Sequence, residues 1–179
     1  DRSTDATGEI VDAQATLHDS IKPLHLESLP EGWLGKVHAL QHGVANATGE
    51  WLLFTDADVH FAPDLIQKAV AYAEDEALDH VAVLPDFHSE SVWAEAAMAG
   101  FGLIFVTRTR ADRVSDPDSG AFAGVGAFNM VRREALERTR GFEHLRMEVA
   151  DDVGLAWMLR ESGARSAFLL AGEGLSIIW

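Results

Sequence analysis

Trp51-Leu52-Leu53-Phe54 is a short, unbroken apolar run that ends in Thr55-Asp56-Ala57-Asp58. A run this short and continuous reads as a strand covered on both faces, the kind found in the sheet of an α/β protein. Extended chain points residues i and i+2 to the same side. The alternation therefore predicts Asp56 and Asp58 side by side where the strand ends, the edge at which open α/β sheets take their ligands. Two carboxylates that close repel each other unless a proton or a cation joins them. An oxygen-only donor pair suits Mg²⁺ or Mn²⁺ carrying a phosphate ligand. The competing reading is an acid pair serving the N-terminus of the helix that Pro63 opens.

The rest of the chain alternates in the same style. The patterning predicts helices from the Ser3-Thr4-Asp5 cap to about His18, over 35–46, from Pro63 to about Glu76, over 92–106, over 132–139 and over 151–162. It predicts strands over 24–27, 51–55, 80–84, 125–131, 167–170 and 175–178, and a polar loop over 108–120. Strands alternating with helices define an α/β class with a mostly parallel central sheet. No linker, repeat or low-complexity tract divides the chain, so one domain over residues 1–179 is expected. Asp1-Arg2-Ser3-Thr4-Asp5 is turn-like with no strand ahead of it, so the first part of the domain is expected to lie before Asp1.

A formal charge of −15 argues against non-specific nucleic-acid binding, which needs a basic face. An anionic substrate must then be met by a local metal or a few placed cations. There are no cysteines, which removes disulfides and thiolate metal sites and permits a reducing compartment. No apolar run approaches the roughly 20 residues that span a bilayer.

Other candidates are weaker taken singly. Lys36 follows Gly35 at a helix start, where N–H groups and an ammonium can face a phosphate; an ordinary solvated lysine is the alternative. Asp151 and Asp152 open a helix, so one can cap it while the other faces a cleft as a general base; both can equally serve the helix dipole. Asp116-Pro117-Asp118 has no apolar strand ahead of it and reads as a solvated turn. His38 and His42 have the i, i+4 spacing of a zinc pair without a third ligand. His60 follows the acid pair but reads as a surface or cap residue. Gly124-Val125-Gly126 lacks the third glycine of a dinucleotide fingerprint and reads as a close-packed strand or loop edge. Arg108, Arg110 and Arg113 follow the apolar stretch 101–106, a pairing that suits either a core helix with solvated ends or a membrane or phosphorylated partner.

In order along the chain, these segments resemble one family. Asp1-Arg2-Ser3-Thr4-Asp5-Ala6-Thr7 is similar to the Asp-Asp-x-Ser-x-Asp-x-Thr segment of family 2 glycosyltransferases of GT-A fold. Gly35-Lys36 through Ala47-Thr48-Gly49-Glu50 to Phe54-Thr55-Asp56-Ala57-Asp58 resembles the family's Gly-Lys helix and its DxD strand. Gly126-Ala127-Phe128-Asn129 through Gly141-Phe142 resembles its acceptor-side segment. Ala150-Asp151-Asp152 resembles its Glu-Asp motif, with Asp151 where Glu is usual. The Gln-x-x-Arg-Trp motif of processive members does not occur. Among subgroups, membrane-associated glycolipid and hopanoid-type enzymes look most similar.

The resemblance implies a Rossmann-like three-layer α/β/α sandwich with the first βαβ unit lying before Asp1. It implies an inverting, metal-assisted transfer of a sugar from a UDP- or GDP-linked donor to an acceptor hydroxyl of a lipid or glycan. Asp1 is then expected on the base, Lys36 on the nucleotide, Asp56 on the ribose or metal, and Asp58 on the metal as its direct ligand. Asp152 is expected as general base, with Asp151 as a helix cap or secondary acid. The implied location is the cytoplasm or the cytoplasmic face of a membrane, with any anchor in flanking segments. Two other classes fit parts of the pattern: a nucleotidyltransferase acting on a sugar phosphate, and a non-catalytic binding module.

Overall fold

The computed structural model describes residues 1–178, which form two compact units. The first comprises Asp1–Thr48 with Phe142–Val149, and the second Gly49–Gly141 with the chain from Ala150 onward.

In the first unit, α1 (Thr7–Leu17) buries no residue, and α2 (Gly35–Asn46) buries Val37 and His38. The Ser3-Thr4-Asp5 cap is only partly realised. Asp5 Oδ1 accepts the Thr7 N–H at 3.0 Å, and the Thr7 side chain, then this N–H, hold the Asp5 carboxyl below its ordinary range, but the helix begins at Thr7. Residues 24–27 form no strand; the Arg2 N–H donates to the Leu26 carbonyl at 2.8 Å, and His25 Nε2 meets Asp12 Oδ1 at 2.7 Å. The Leu34 N–H, just ahead of α2, donates to the Arg146 carbonyl at 2.7 Å.

The second unit carries the sheets. The larger has the order β1-β5-β3-β6, formed by β1 (Trp51–Phe54), β3 (His80–Leu84), β5 (Asn129–Arg132) and β6 (Ser166–Leu170). β5 is antiparallel to β1 and β3, while β3 and β6 are parallel, so β1, β3 and β6 run one way with β5 reversed among them. The expected parallel sense holds for three strands, and the exception is the strand that comes after Gly124-Val125-Gly126. A second sheet, β2-β7-β4, joins β2 (Val59–Phe61) and β4 (Asp86–His88) to β7 (Leu175–Ile178). β3 stops at Pro85, which has no N–H for the ladder, and the chain resumes as β4.

Helices α3 (Leu65–Asp75), α4 (Val92–Thr109), α5 (Arg133–Glu137), α6 (Gly141–His144) and α7 (Asp151–Glu161) complete the chain. The core joins Val81, Ala82 and Val83 of β3 to Phe128 just before β5, to Met130 of β5 and to Leu175 of β7. α7 buries Leu155, Ala156, Met158 and Leu159. At the β1 edge the Arg132 guanidinium lies 4.4 Å over the Trp51 ring and pairs with Glu50 and Glu74 at 2.5 and 2.8 Å. The Trp51 indole N–H also donates to Glu74, and together these donors lower the Glu74 carboxyl below its usual range.

Candidate active site

β1 ends at Phe54, so Asp56 and Asp58 stand in the loop between β1 and β2 rather than on a strand. The alternation argument therefore does not set their directions. The loop is fixed instead by a clamp to the segment before β5: the Asp56 N–H donates to the Gly126 carbonyl at 3.0 Å, and the Thr55 hydroxyl to the Ala127 carbonyl at 2.8 Å. Asp56 is half-buried and Asp58 exposed. Burial of the neighbouring backbone explains why a threonine precedes the acid: its hydroxyl satisfies a carbonyl that strand pairing leaves free.

Gly124-Val125-Gly126 sits between the acids of two different elements. A Cβ on Gly126 would stand 2.6 Å from Asp56 Oδ2, and a Cβ on Gly124 would stand 1.9 Å from the carbonyl oxygen of Asp152. Gly124 requires glycine because the Asp152 backbone occupies the space a side chain would fill, and a side chain at Gly126 would have to displace the Asp56 carboxylate. Two residues of extended chain cover about 7 Å. The Asp56 carboxylate and the first turn of α7 are thus brought to one short segment. From sequence this segment reads as a close-packed strand or a mobile loop edge, and the close packing is what the pair of glycines directly before an apolar strand signals.

Asp152 is half-buried, and its Oδ1 accepts the N–H of the next residue, Val153, at 2.9 Å. It is not a conventional cap, because the residue at the cap position is Ala150. Asp151 is buried, at 6% exposure. Behind α7 lies a buried polar chain. The Ser166 hydroxyl meets His80 Nδ1 at 3.1 Å, His80 Nε2 meets Asn129 Oδ1 at 2.6 Å, and Asn129 Nδ2 donates to the Asp152 carbonyl at 3.4 Å. Burial drives the His80 pKa down to about 4, partly opposed by its bond to Asn129, so the ring is neutral there.

Asp1 and Lys36 belong to the first unit. The Gly35 backbone at the start of α2 abuts the Asp1 carboxylate, with an ideal Cβ 2.8 Å from Oδ2. Arg2 pairs with Asp1 at 3.1 Å. Lys36 is exposed beside them. An open cleft of about 420 Å³ in the second unit is lined by Tyr72, Arg160 and Arg165 and stands away from the acids. His38 and His42 place their Nε2 atoms 3.2 Å apart, with the Trp33 ring edge-on to His38. Burial, then His42 and Arg2, lowers the His38 pKa, so the His38 ring resists protonation. Asp116 accepts from Arg113 at 2.8 Å and from the Asp118 N–H at 3.0 Å, a local turn.

The 108–120 region differs from the expected loop. α4 runs on to Thr109, and beyond it a small cluster of Ala111, Val114, Ala121 and Ala123 packs residues 111–123 together. Arg160 of α7 staples this segment, donating to the carbonyls of Val114 and Asp116 and to the Ser119 hydroxyl.

Among the described residues, no group of three or more His, Asp or Glu side chains is arranged to hold a metal ion. The donor set nevertheless fits a hard cation. Asp56 and Asp58 are oxygen ligands on one loop, and Mg²⁺ or Mn²⁺ commonly takes one or two carboxylates and completes its shell with substrate phosphates and water.

The acids on the loop after the edge strand and those that open α7 stand in an α/β architecture of GT-A type. The family model for glycosyl transferase family 2 matches residues 1–140, and the chain belongs to that family. A mannosyltransferase from Pyrobaculum calidifontis, solved with GDP-Man and Mn²⁺, is similar in structure with a TM-score of 0.66 and 24% identity. The similarity covers 99% of this chain and 45% of that one. TarS 1–349 of S. aureus, solved with UDP-GlcNAc, has a TM-score of 0.61 and 16% identity over 99% of this chain and 47% of that one. The chain thus spans about half the length of these structures. No curated protein matches the sequence significantly.

Proposed function

We propose that this chain supplies the donor-binding and catalytic part of an inverting glycosyltransferase, which moves a sugar from a UDP- or GDP-linked donor to an acceptor hydroxyl. The observation that carries the reading is the Gly124–Gly126 segment, against which both the Asp56 carboxylate and the Asp152 backbone are packed. Family membership supports the donor class.

In this reading Asp1 receives the base and Lys36 the nucleotide. Asp58, exposed at the loop tip, offers its carboxylate to Mg²⁺ or Mn²⁺, and Asp56 holds the ribose or the same ion. When bound, the cation supplies charge stabilisation to the departing diphosphate. Asp152 removes the proton from the acceptor hydroxyl as its oxygen attacks the anomeric carbon. The Val153 N–H on its Oδ1 fixes the carboxylate and leaves the second oxygen to take that proton. One base suffices because the diphosphate leaves as an anion, and direct displacement inverts the centre. Asp151, buried at the helix start, is a structural acid rather than the base. The absence of cysteine fits the cytoplasm or the cytoplasmic face of a membrane.

The released phosphate product is the test. Nucleoside diphosphate formed from UDP- or GDP-sugar with Mn²⁺ supports the reading. Pyrophosphate released from a nucleoside triphosphate and a sugar phosphate would instead identify a nucleotidyltransferase, and binding without turnover a non-catalytic module.

A further inference from the structure

α4 (Val92–Thr109) is the anomaly of the second unit: 18 residues, mostly apolar, and not one of them buried. At 100° per residue, the half-covered positions Ala94, Met98, Gly102, Phe105 and Thr109 fall on one side and face the body, where Phe105 packs against Phe168. The opposite side carries Val92, Trp93, Leu103 and Ile104, and Phe101 stands on the flank where it stacks with Phe105, all with exposures between 59% and 86%. Scattered surface hydrophobes are ordinary, but large ones at both ends of a stretch of about 18 Å, with only Ala and Gly between them on the outward side, mark a surface that is covered in use.

Charge says what covers it. The chain carries 29 acids against 14 Lys and Arg, yet the outward side of α4 holds no acid. Its charged residue is Arg108, followed by exposed Arg110, which turns the chain through a left-handed conformation, and Arg113 in the next turn. Glu95 lies on the flank, where its carboxylate accepts the Ser89 N–H. An apolar face with an aromatic ring at one end and cations at the other matches the boundary of an anionic bilayer. Among the described residues no helix is long and apolar enough to cross a membrane, so α4 would lie in the interface. We propose that α4 seats this chain on anionic phospholipid, with Trp93, Phe101 and Ile104 in the acyl boundary and Arg108 and Arg110 at the headgroups.

The placement bears on the site without depending on its assignment. α4 leads through the packed 111–123 segment directly into Gly124–Gly126, so its seat would hold the proposed catalytic segment close to a lipid surface.

The test is flotation of the chain with phosphatidylglycerol–phosphatidylcholine vesicles, with phosphatidylcholine alone, and with both at high salt, alongside sedimentation to fix the oligomeric state. The wild-type chain is expected to float with the anionic vesicles and to be released by salt. Phe101→Glu with Ile104→Glu is expected to lower the bound fraction about tenfold or more. Arg108→Glu with Arg110→Glu should remove the preference for anionic lipid. All four side chains are exposed, so circular dichroism should be unchanged. Wild type that stays at the bottom with anionic vesicles would overturn the proposal. So would equal flotation of both apolar-to-acid and wild-type chains, or a dimer that the Phe101/Ile104 variant converts to monomer without any vesicle binding.

Discussion

Gly126→Ala probes the Asp56 site with a single methyl group. The added Cβ would stand 2.6 Å from Asp56 Oδ2, 3.4 Å from Cγ and 3.5 Å from Oδ1, where ordinary contact begins at 3.4 Å. Relief requires the nearest oxygen to retreat by about 0.8 Å, since a carbon–oxygen contact that short is repulsive. The main chain cannot yield easily, because the Asp56 N–H is bonded to the Gly126 carbonyl. The side chain of Asp56 must therefore turn away. A rotation of one exposed-side carboxylate costs about 1 kcal/mol, which lowers Tm by about 2–4 °C in a chain of this size. A functional group displaced by nearly 1 Å loses much more, about 100-fold in turnover. The expected result is a near-wild-type melting curve with a loss of about tenfold in Mn²⁺-dependent affinity for UDP or GDP by calorimetry. Gly43→Ala is the control: nothing lies within 4 Å of a Cβ there, so it should leave binding unchanged and stabilise α2 slightly. Undiminished nucleotide and metal binding by Gly126→Ala would refute the assignment of Asp56.

Asp152→Asn should abolish sugar transfer while leaving donor affinity within about twofold, measured by product formation and calorimetry in parallel; retained turnover would remove Asp152 from the mechanism. Asp58→Ala should weaken Mn²⁺-dependent nucleotide binding with little change in Tm, because the side chain is exposed. Arg160→Met should lower stability by about 1–3 kcal/mol in urea denaturation, since it removes a charged donor from the Val114 carbonyl and from the Asp116 carbonyl, which keeps only its local bonds from Ser119. His80 is neutral in the folded protein, with its pKa at about 4 against an ordinary 6.5. The unfolded chain takes up that proton first, so stability is present above pH 6.5 and falls as pH drops toward 4, by about 3 kcal/mol in all. His80→Asn should flatten the urea midpoint across that window, whereas Glu74 and Asp116, whose pKa values are lowered, contribute losses only at more acid pH.

The bounds of α2, β3 and β7 are legible from the amino-acid pattern, because each is a local signal closed by a local stop: Gly35 and Gly49 around one, Pro85 after another. β2 and β4 are not legible. Each has three residues and exists through pairing with β7, more than 85 positions along the chain. The reversed direction of β5 is likewise a pairing fact, invisible to periodicity.

The amino-acid order alone determined the α/β class, the family, and which acids to consider, since apolar period and motif spacing are properties of neighbours. Tertiary structure decided that Asp56 and Asp58 ride a loop, that Gly124 and Gly126 are the seam between that loop and α7, and that α4 keeps an apolar side in solvent. Each of those depends on which distant backbone fills the space beside a residue, and no local pattern encodes that.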